Sequence, residues 1–170
     1  MAEPPGAPGF SPGAVGAIQP AVGPATYVEP FGASSPDASR LGGKGASLAR
    51  LVAFGHRVPP GFTVTVEAFR TTLRYLGLDG AVGALAAAIA GDGDVAAAGA
   101  PVTRGLLEGR LPQDVLDAVV EQVDDLELWG SNPDGLIVRS SATVEDSSAH
   151  SFAGIFESIP IGRPEDLEPT

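Results

Sequence analysis

The spacing of apolar side chains along this chain changes from a period of two to one near four and back again, and those changes mark its elements. Thr26-Tyr27-Val28-Glu29 reads as a short first strand, followed by a loop through Ser34-Ser35-Pro36-Asp37. Ala46-Ser47-Leu48-Ala49-Arg50-Leu51-Val52 reads as a helix that stops at Gly55. Val58-Pro59-Pro60-Gly61 is a turn, and Phe62-Thr63-Val64-Thr65-Val66 alternates as a half-buried strand does. Thr65 is placed to cap a following helix with Glu67 in its first turn; Phe69, Leu73 and Leu76 share one face before Gly77 ends it.

The alanine-rich middle predicts three more helices. Val82, Leu85 and Ile89 form a short stripe broken by Gly91-Asp92-Gly93-Asp94. A second helix runs from about Asp94 to Glu108, with Gly99 and Pro101 weakening its first part. The third has Pro112 and Asp114 in its first turn and Val115, Val119, Val123 and Leu126 on one face up to Gly130. Leu136-Ile137-Val138 is a continuous apolar run of the kind found in a central buried strand, and Ile155-Phe156-Glu157-Ser158-Ile159 returns as another. Gly162-Arg163-Pro164-Glu165-Asp166-Leu167 resembles the opening of a further helix.

Composition narrows the function classes. Residues 1–25 are rich in Pro, Gly and Ala and carry too few large apolar side chains to offset the entropy of ordering, so a disordered tail is expected, with the folded segment spanning 26–170. The net charge of −11 argues against a nucleic-acid partner, which needs a concentrated basic face. There is no cysteine for a disulfide or thiolate metal site. No Lys or Arg precedes Arg40 to make a signal peptide, and no apolar run is long enough to span a bilayer, so a cytoplasmic protein without a membrane partner is expected. Asp124, Asp125 and Glu127 read as a solvated helix face rather than a metal site.

The chemistry concentrates at two places. In Leu41-Gly42-Gly43-Lys44-Gly45-Ala46-Ser47-Leu48 the only lysine of the chain stands among glycines at the start of a helix. An anion there would meet unpaired N–H groups, the positive end of the helix dipole and a flexible ammonium together. The spacing differs from the P-loop, since Gly45 follows Lys44 where Ser or Thr would stand. A plain glycine turn with a solvated lysine accounts equally well for this stretch alone. At the second place the apolar strand delivers Arg139, followed by Ser140-Ser141-Ala142-Thr143. Its guanidinium is suited either to phosphate oxygens or to pairing with Glu145 or Asp146. Ser151-Phe152-Ala153-Gly154 suggests a small-residue flap over phosphate, or an ordinary hairpin. His150 lies between the Arg139 segment and the flap, where an imidazole could act near neutral pH, and His56 is expected at the surface.

GGKGASL, HRVPPGFTVTVEAFR and LIVRSSATVEDSSAHSFAGIFES occur in the order and approximate spacing of the nucleotide-binding domain of phosphoenolpyruvate synthase and pyruvate phosphate dikinase, which rifampin phosphotransferase and the glucan water dikinases share. The resemblance covers roughly Tyr27 to Ile161 and is densest in residues 41–70 and 136–157. It implies an α+β fold, the first lobe of an ATP-grasp-like domain with a mixed sheet and a helical insertion. It also implies ATP phosphate contacts from Lys44 and Arg139, with Gly43, Gly45, Ser140, Ser151 and Gly154 around them. Where many family members have Gln after the flap glycine, this chain has Ile155, which implies the loss of a polar flap contact.

By the same resemblance a phosphoryl group would pass from ATP to a histidine on a swivelling domain. The second lobe with its Mg²⁺ ligands, the histidine domain and the substrate domain have no counterpart in these residues. The sequence is therefore expected to be the ATP-binding part of a longer phosphoenolpyruvate synthase-like phosphotransferase and inactive alone. The alternatives are a degenerate, non-catalytic binding or regulatory module, or part of a rifampin phosphotransferase-like enzyme.

Overall fold

The computed structural model describes residues 26–33, 36–131, 135–142 and 158–162. Strand β1 (Val28–Pro30) pairs antiparallel with β2 (Phe62–Val64), with Glu29 opposite Thr63 and Val28 opposite Val64. Opposite residues of such a pair share a face. The alternation in β2 turns threonine inward: Thr63 and Thr65 are buried, whereas Val64 is 50% exposed. The seam is polar and its groups have partners. Glu29, buried, accepts from the Arg40 guanidinium at 2.8 Å, and the Thr65 hydroxyl donates to the Thr26 carbonyl at 2.7 Å.

Helix α1 (Ala38–Ala53) contacts β2 and α2 (Val66–Tyr75). Its start is set by Asp37, whose carboxylate accepts from the Ser39 N–H at 2.9 Å and the Ser39 hydroxyl at 2.8 Å. Its end is a Schellman turn: Gly55 (φ 78°) donates to the Val52 carbonyl and His56 to that of Leu51, both at 2.9 Å. Helix α2 repeats these devices. The Thr65 hydroxyl accepts from the Ala68 N–H at 3.4 Å, and Gly77 (φ 66°) closes the other end. Both glycine stops and the Thr65 cap lie where the sequence predicts them. The buried side of α2 is Ala68, Thr72 and Leu73, however, and Phe69 is 51% exposed. The small residues face the neighbouring helix, which turns the bulky ring outward.

The core between these elements is built from Leu41, Ala46 and Ala49. Small side chains let backbones approach closely, most of all at Gly45, where a Cβ would stand 2.6 Å from the Thr63 hydroxyl oxygen.

Helices α3 (Asp79–Ala90) and α4 (Val95–Glu108) pack on each other, with the Asp94 carboxylate capping α4 at the Ala97 N–H, 2.9 Å away. Helix α4 runs through Gly99 and Pro101 without a break. Pro101 forfeits one backbone bond, while the packing on α3 remains. Helix α5 (Gln113–Asp125) buries Val115 and Val123 and contacts β1, where the Tyr27 hydroxyl donates to Asp114 at 2.8 Å. That bond holds the proton on Tyr27 and raises its pKa. The helix predicted up to Gly130 ends at Asp125: Glu127 takes φ 47° and donates to the Asp124 carbonyl, and a short α6 (Leu128–Ser131) follows. Asp124, Asp125 and Glu127 are exposed.

Strands β3 (Leu136–Arg139) and β4 (Ser158–Ile161) form a second antiparallel pair, with Ile137 opposite Pro160 and Val138 opposite Ile159. This corrects two expectations. In place of one mixed sheet, the described residues form two separate antiparallel pairs. The apolar run is not a buried central strand, since Ile137 is 68% and Ile159 56% exposed. Among the described residues it has one hydrogen-bonded neighbour, and no layer covers it. The returning strand overlaps its predicted span only at Ser158 and Ile159; residues 155–157 lie outside the described set, as do residues 1–25 and 163–170. Among the described residues, no single helix is long and apolar enough to cross a membrane.

Two outcomes follow from this packing. Gly45→Ala pushes a methyl into Thr63 and is expected to destabilise the fold by about 1–3 kcal/mol in denaturant unfolding. The Ser39 hydroxyl and then the Ser39 N–H hold the Asp37 carboxyl below its usual range. Because the folded-state value is the lower one, this contribution is present above about pH 4 and is lost as pH falls through the folded-state value. Asp37→Ala is expected to cost about 1 kcal/mol at neutral pH and to make thermal unfolding less sensitive to acid, read by circular dichroism.

Candidate functional site

The helical path of α1 is interrupted within the glycine stretch. Gly42 adopts φ 70° and ψ 172°, a region open essentially to glycine alone. A helix therefore does not open at the glycines, as the sequence predicts; it starts at Ala38 under the Asp37 cap, breaks at Gly42 and resumes. The segment after β3 lies against the break. Gly43 N–H donates to the Ala142 carbonyl at 2.9 Å, and Gly45 N–H donates to the Ser141 hydroxyl at 2.9 Å. The same hydroxyl donates to the Leu41 carbonyl at 2.7 Å. A Cβ on Gly42 would overlap the Ser141 carbonyl, so the approach demands glycine for space as well as for φ.

These bonds correct the expectation of unpaired N–H groups at the glycines. The N–H groups of Gly43 and Gly45 are taken by neutral acceptors from the strand end, which satisfy the resumed helix as a cap would. Lys44 stands between them, half-buried. Arg139 is the last residue of β3, opposite Ser158, and is exposed. Its Cα lies within about 7 Å of that of Ser141, the reach of two residues, so the Lys44 turn and the Arg139 strand end are brought together. Ser140, half-buried, has a hydroxyl oxygen that is fully covered and without a hydrogen-bond partner among the described residues. A buried hydroxyl left so costs about 1–3 kcal/mol.

Ser151 and Gly154 lie outside the described residues, as do His150 and the alternative Arg139 partners Glu145 and Asp146. His56 is exposed. Gly42 and Ser141 were not singled out by sequence reasoning. A signal for Gly42 existed in the glycine doublet, since two adjacent glycines at a helix start suggest one position that tolerates no side chain. Ser141 had no local signal, because its partners are Leu41 and Gly45.

No group of three or more His, Asp or Glu side chains among the described residues is arranged to hold a metal ion. A shallow depression along α4, lined by Val95, Gly99, Thr103 and Leu107 among others, contains neither Lys44 nor Arg139. Among the described residues, the candidate chemistry sits at a junction of backbone segments.

Residues 38–162 match the family described as pyruvate phosphate dikinase, AMP/ATP-binding domain. The chain is similar to a probable phosphoenolpyruvate synthase of Methanocaldococcus jannaschii, 36% identical over 124 residues, covering 71% of this chain and 10% of that protein. It is similar to the phosphoenolpyruvate synthase of Deinococcus radiodurans, 36% identical over 134 residues, covering 75% and 17%. The prodigiosin synthesizing transferase PigC of Serratia marcescens is 32% identical over 148 residues, covering 84% and 14%. The match to this chain thus spans only 10% to 17% of the length of these relatives. No solved structure matches. The family match runs from the first turn of α1 through the Lys44 turn to the end of β4, and the chain belongs to the pyruvate phosphate dikinase AMP/ATP-binding domain family.

Proposed function

We propose that this chain contributes the phosphate-contacting part of an ATP site in a phosphotransferase of the phosphoenolpyruvate synthase kind, acting within a longer protein. The observation that carries this reading is the pair of 2.9 Å bonds on either side of Lys44, from Gly43 to Ala142 and from Gly45 to Ser141. They fasten the chain's only lysine to the end of the strand that bears Arg139.

With a net charge of −11, the chain as a whole repels a polyphosphate, so attraction has to be local. Lys44 offers a compact charge and Arg139 a planar fork suited to two phosphate oxygens. Cations held in place by backbone bonds stabilise negative charge as it shifts during phosphoryl transfer, without reorganising at that moment. Ser140, whose hydroxyl has no hydrogen-bond partner among the described residues, follows Arg139 directly. Gly43 and Gly45 hold the Lys44 backbone, and Ser151 with Gly154 would supply the flap. ATP supplies the phosphoryl group, and a histidine on a swivelling domain would receive it.

The residues described here do not make a metal site. Mg²⁺ would accompany ATP, with its protein ligands expected in a second lobe. Relatives named as phosphoenolpyruvate synthases favour pyruvate over rifampin or a glucan as final acceptor. A second reading, a non-catalytic binding module, draws on the exposed apolar side chains of the second sheet: Val138 and Ile159 on one face, Ile137 on the other.

An NMR titration of this chain with Mg·ATP separates the two. We expect weak binding, saturating only at millimolar nucleotide, with shifts centred on Gly43, Gly45 and Arg139 to Ser141. Lys44→Ala and Arg139→Ala should each weaken it about tenfold, the value of one charge-assisted contact. Equal titration of both variants and the unsubstituted chain would defeat the assignment. In the longer enzyme either substitution should cut turnover severely.

A further inference from the structure

We propose that Ser141 is a positioning residue whose hydroxyl replaces a missing helical bond and thereby fixes Lys44 beside the Arg139 strand end; this rests on the phosphate role given to those two cations above. In an uninterrupted helix the N–H of residue 45 would bond the carbonyl of residue 41. Here the Ser141 hydroxyl stands between the two, accepting from Gly45 N–H at 2.9 Å and donating to Leu41 O at 2.7 Å. A side chain inserted into the helical ladder is a recognised cause of a kink, and the non-helical residue Gly42 lies between the two bonded positions.

Only a group that donates and accepts through one atom can fill this place, and a hydroxyl does both. The neighbouring Ser140 hydroxyl makes no bond among the described residues, so the two serines are not interchangeable. The inserted hydroxyl acts on both sides of the break, at Leu41 before Gly42 and at Gly45 after it, and the bond from Gly43 N–H to Ala142 O lies between them. Lys44 is thus enclosed by anchors to residues 141 and 142. Without the hydroxyl the turn keeps one of its three bonds to this segment, and the lysine loses its fixed relation to Arg139.

The test uses the full chain, labelled with ¹⁵N, and the variants Ser141→Ala and Ser141→Thr, each also combined with Lys44→Ala. Without nucleotide, Gly45 N–H should be protected from hydrogen exchange, at least about tenfold less so in Ser141→Ala, and protected again in Ser141→Thr. Amides of α5 such as Val123 serve as the control for global unfolding. Rapid Gly45 exchange in the unsubstituted chain, which needs no variant to fold, would overturn the bridge.

With Mg·ATP as the probe, Ser141→Ala should weaken binding about tenfold, and Ser141→Thr should restore it. In the Lys44→Ala background the same substitution should change affinity by less than about twofold, since coupled residues are not additive. A tenfold loss in both backgrounds would show that Ser141 does not act through Lys44, which overturns the positioning role. A chain with protected Gly45 that shows no response to Mg·ATP would defeat the phosphate assignment and the positioning role built on it, while keeping the bridge as a feature of the fold.

Discussion

No side chain fits where Gly42 passes the carbonyl of Ser141, and the organisation of the candidate site depends on that closeness. The break in α1 lets a hydroxyl and a carbonyl from the far end of the chain replace helical bonds. The exchange keeps these amides satisfied, because the Gly43 and Gly45 N–H groups find new acceptors. It converts a local irregularity into a tertiary anchor. A regular helix here would satisfy its own backbone and leave residues 141 and 142 without these bonds to it.

The two sheets solve opposite problems. The first hides polar groups: Glu29 and Thr63 are buried, and a guanidinium at 2.8 Å balances the carboxylate. The Glu29 to Arg40 pair costs desolvation that its attraction roughly offsets, so its value lies in fixing the approach of α1 to β1. The second sheet exposes apolar groups on both faces. A strand apolar on both faces is suited to burial between layers.

In the family context, the acidity of the chain acquires meaning. Attraction for a polyphosphate cannot come from the overall field, which has the wrong sign. It has to come from a few cations at fixed positions, and fixing them is a task for backbone bonds. On the proposed reading the exposed Arg139 at a strand end and the half-buried Lys44 in a pinned turn would be those cations, one held by β pairing and one by the Ser141 bridge.

Four helix ends were legible in the sequence because caps are made within a few residues: Asp94, Thr65, Gly55 and Gly77 all stand where their side chains or freedom at φ require, whereas the start of α1 at Asp37 and the end of α5 at Asp125 were not. The spaced motifs around Lys44 and Arg139 were legible too, and with them the family. Which face of β2 turns inward was not, since period two allows either and the close packing of Gly45 on Thr63 decides it. Neither was the exposure of Ile137, which depends on what packs over a strand rather than on its composition. Caps, stops and the spaced family motifs are thus written locally in the residues. That Ser141 completes the Lys44 turn is a product of the packed fold, because its two bonds span 96 and 100 residues and no local pattern encodes a partner that far away.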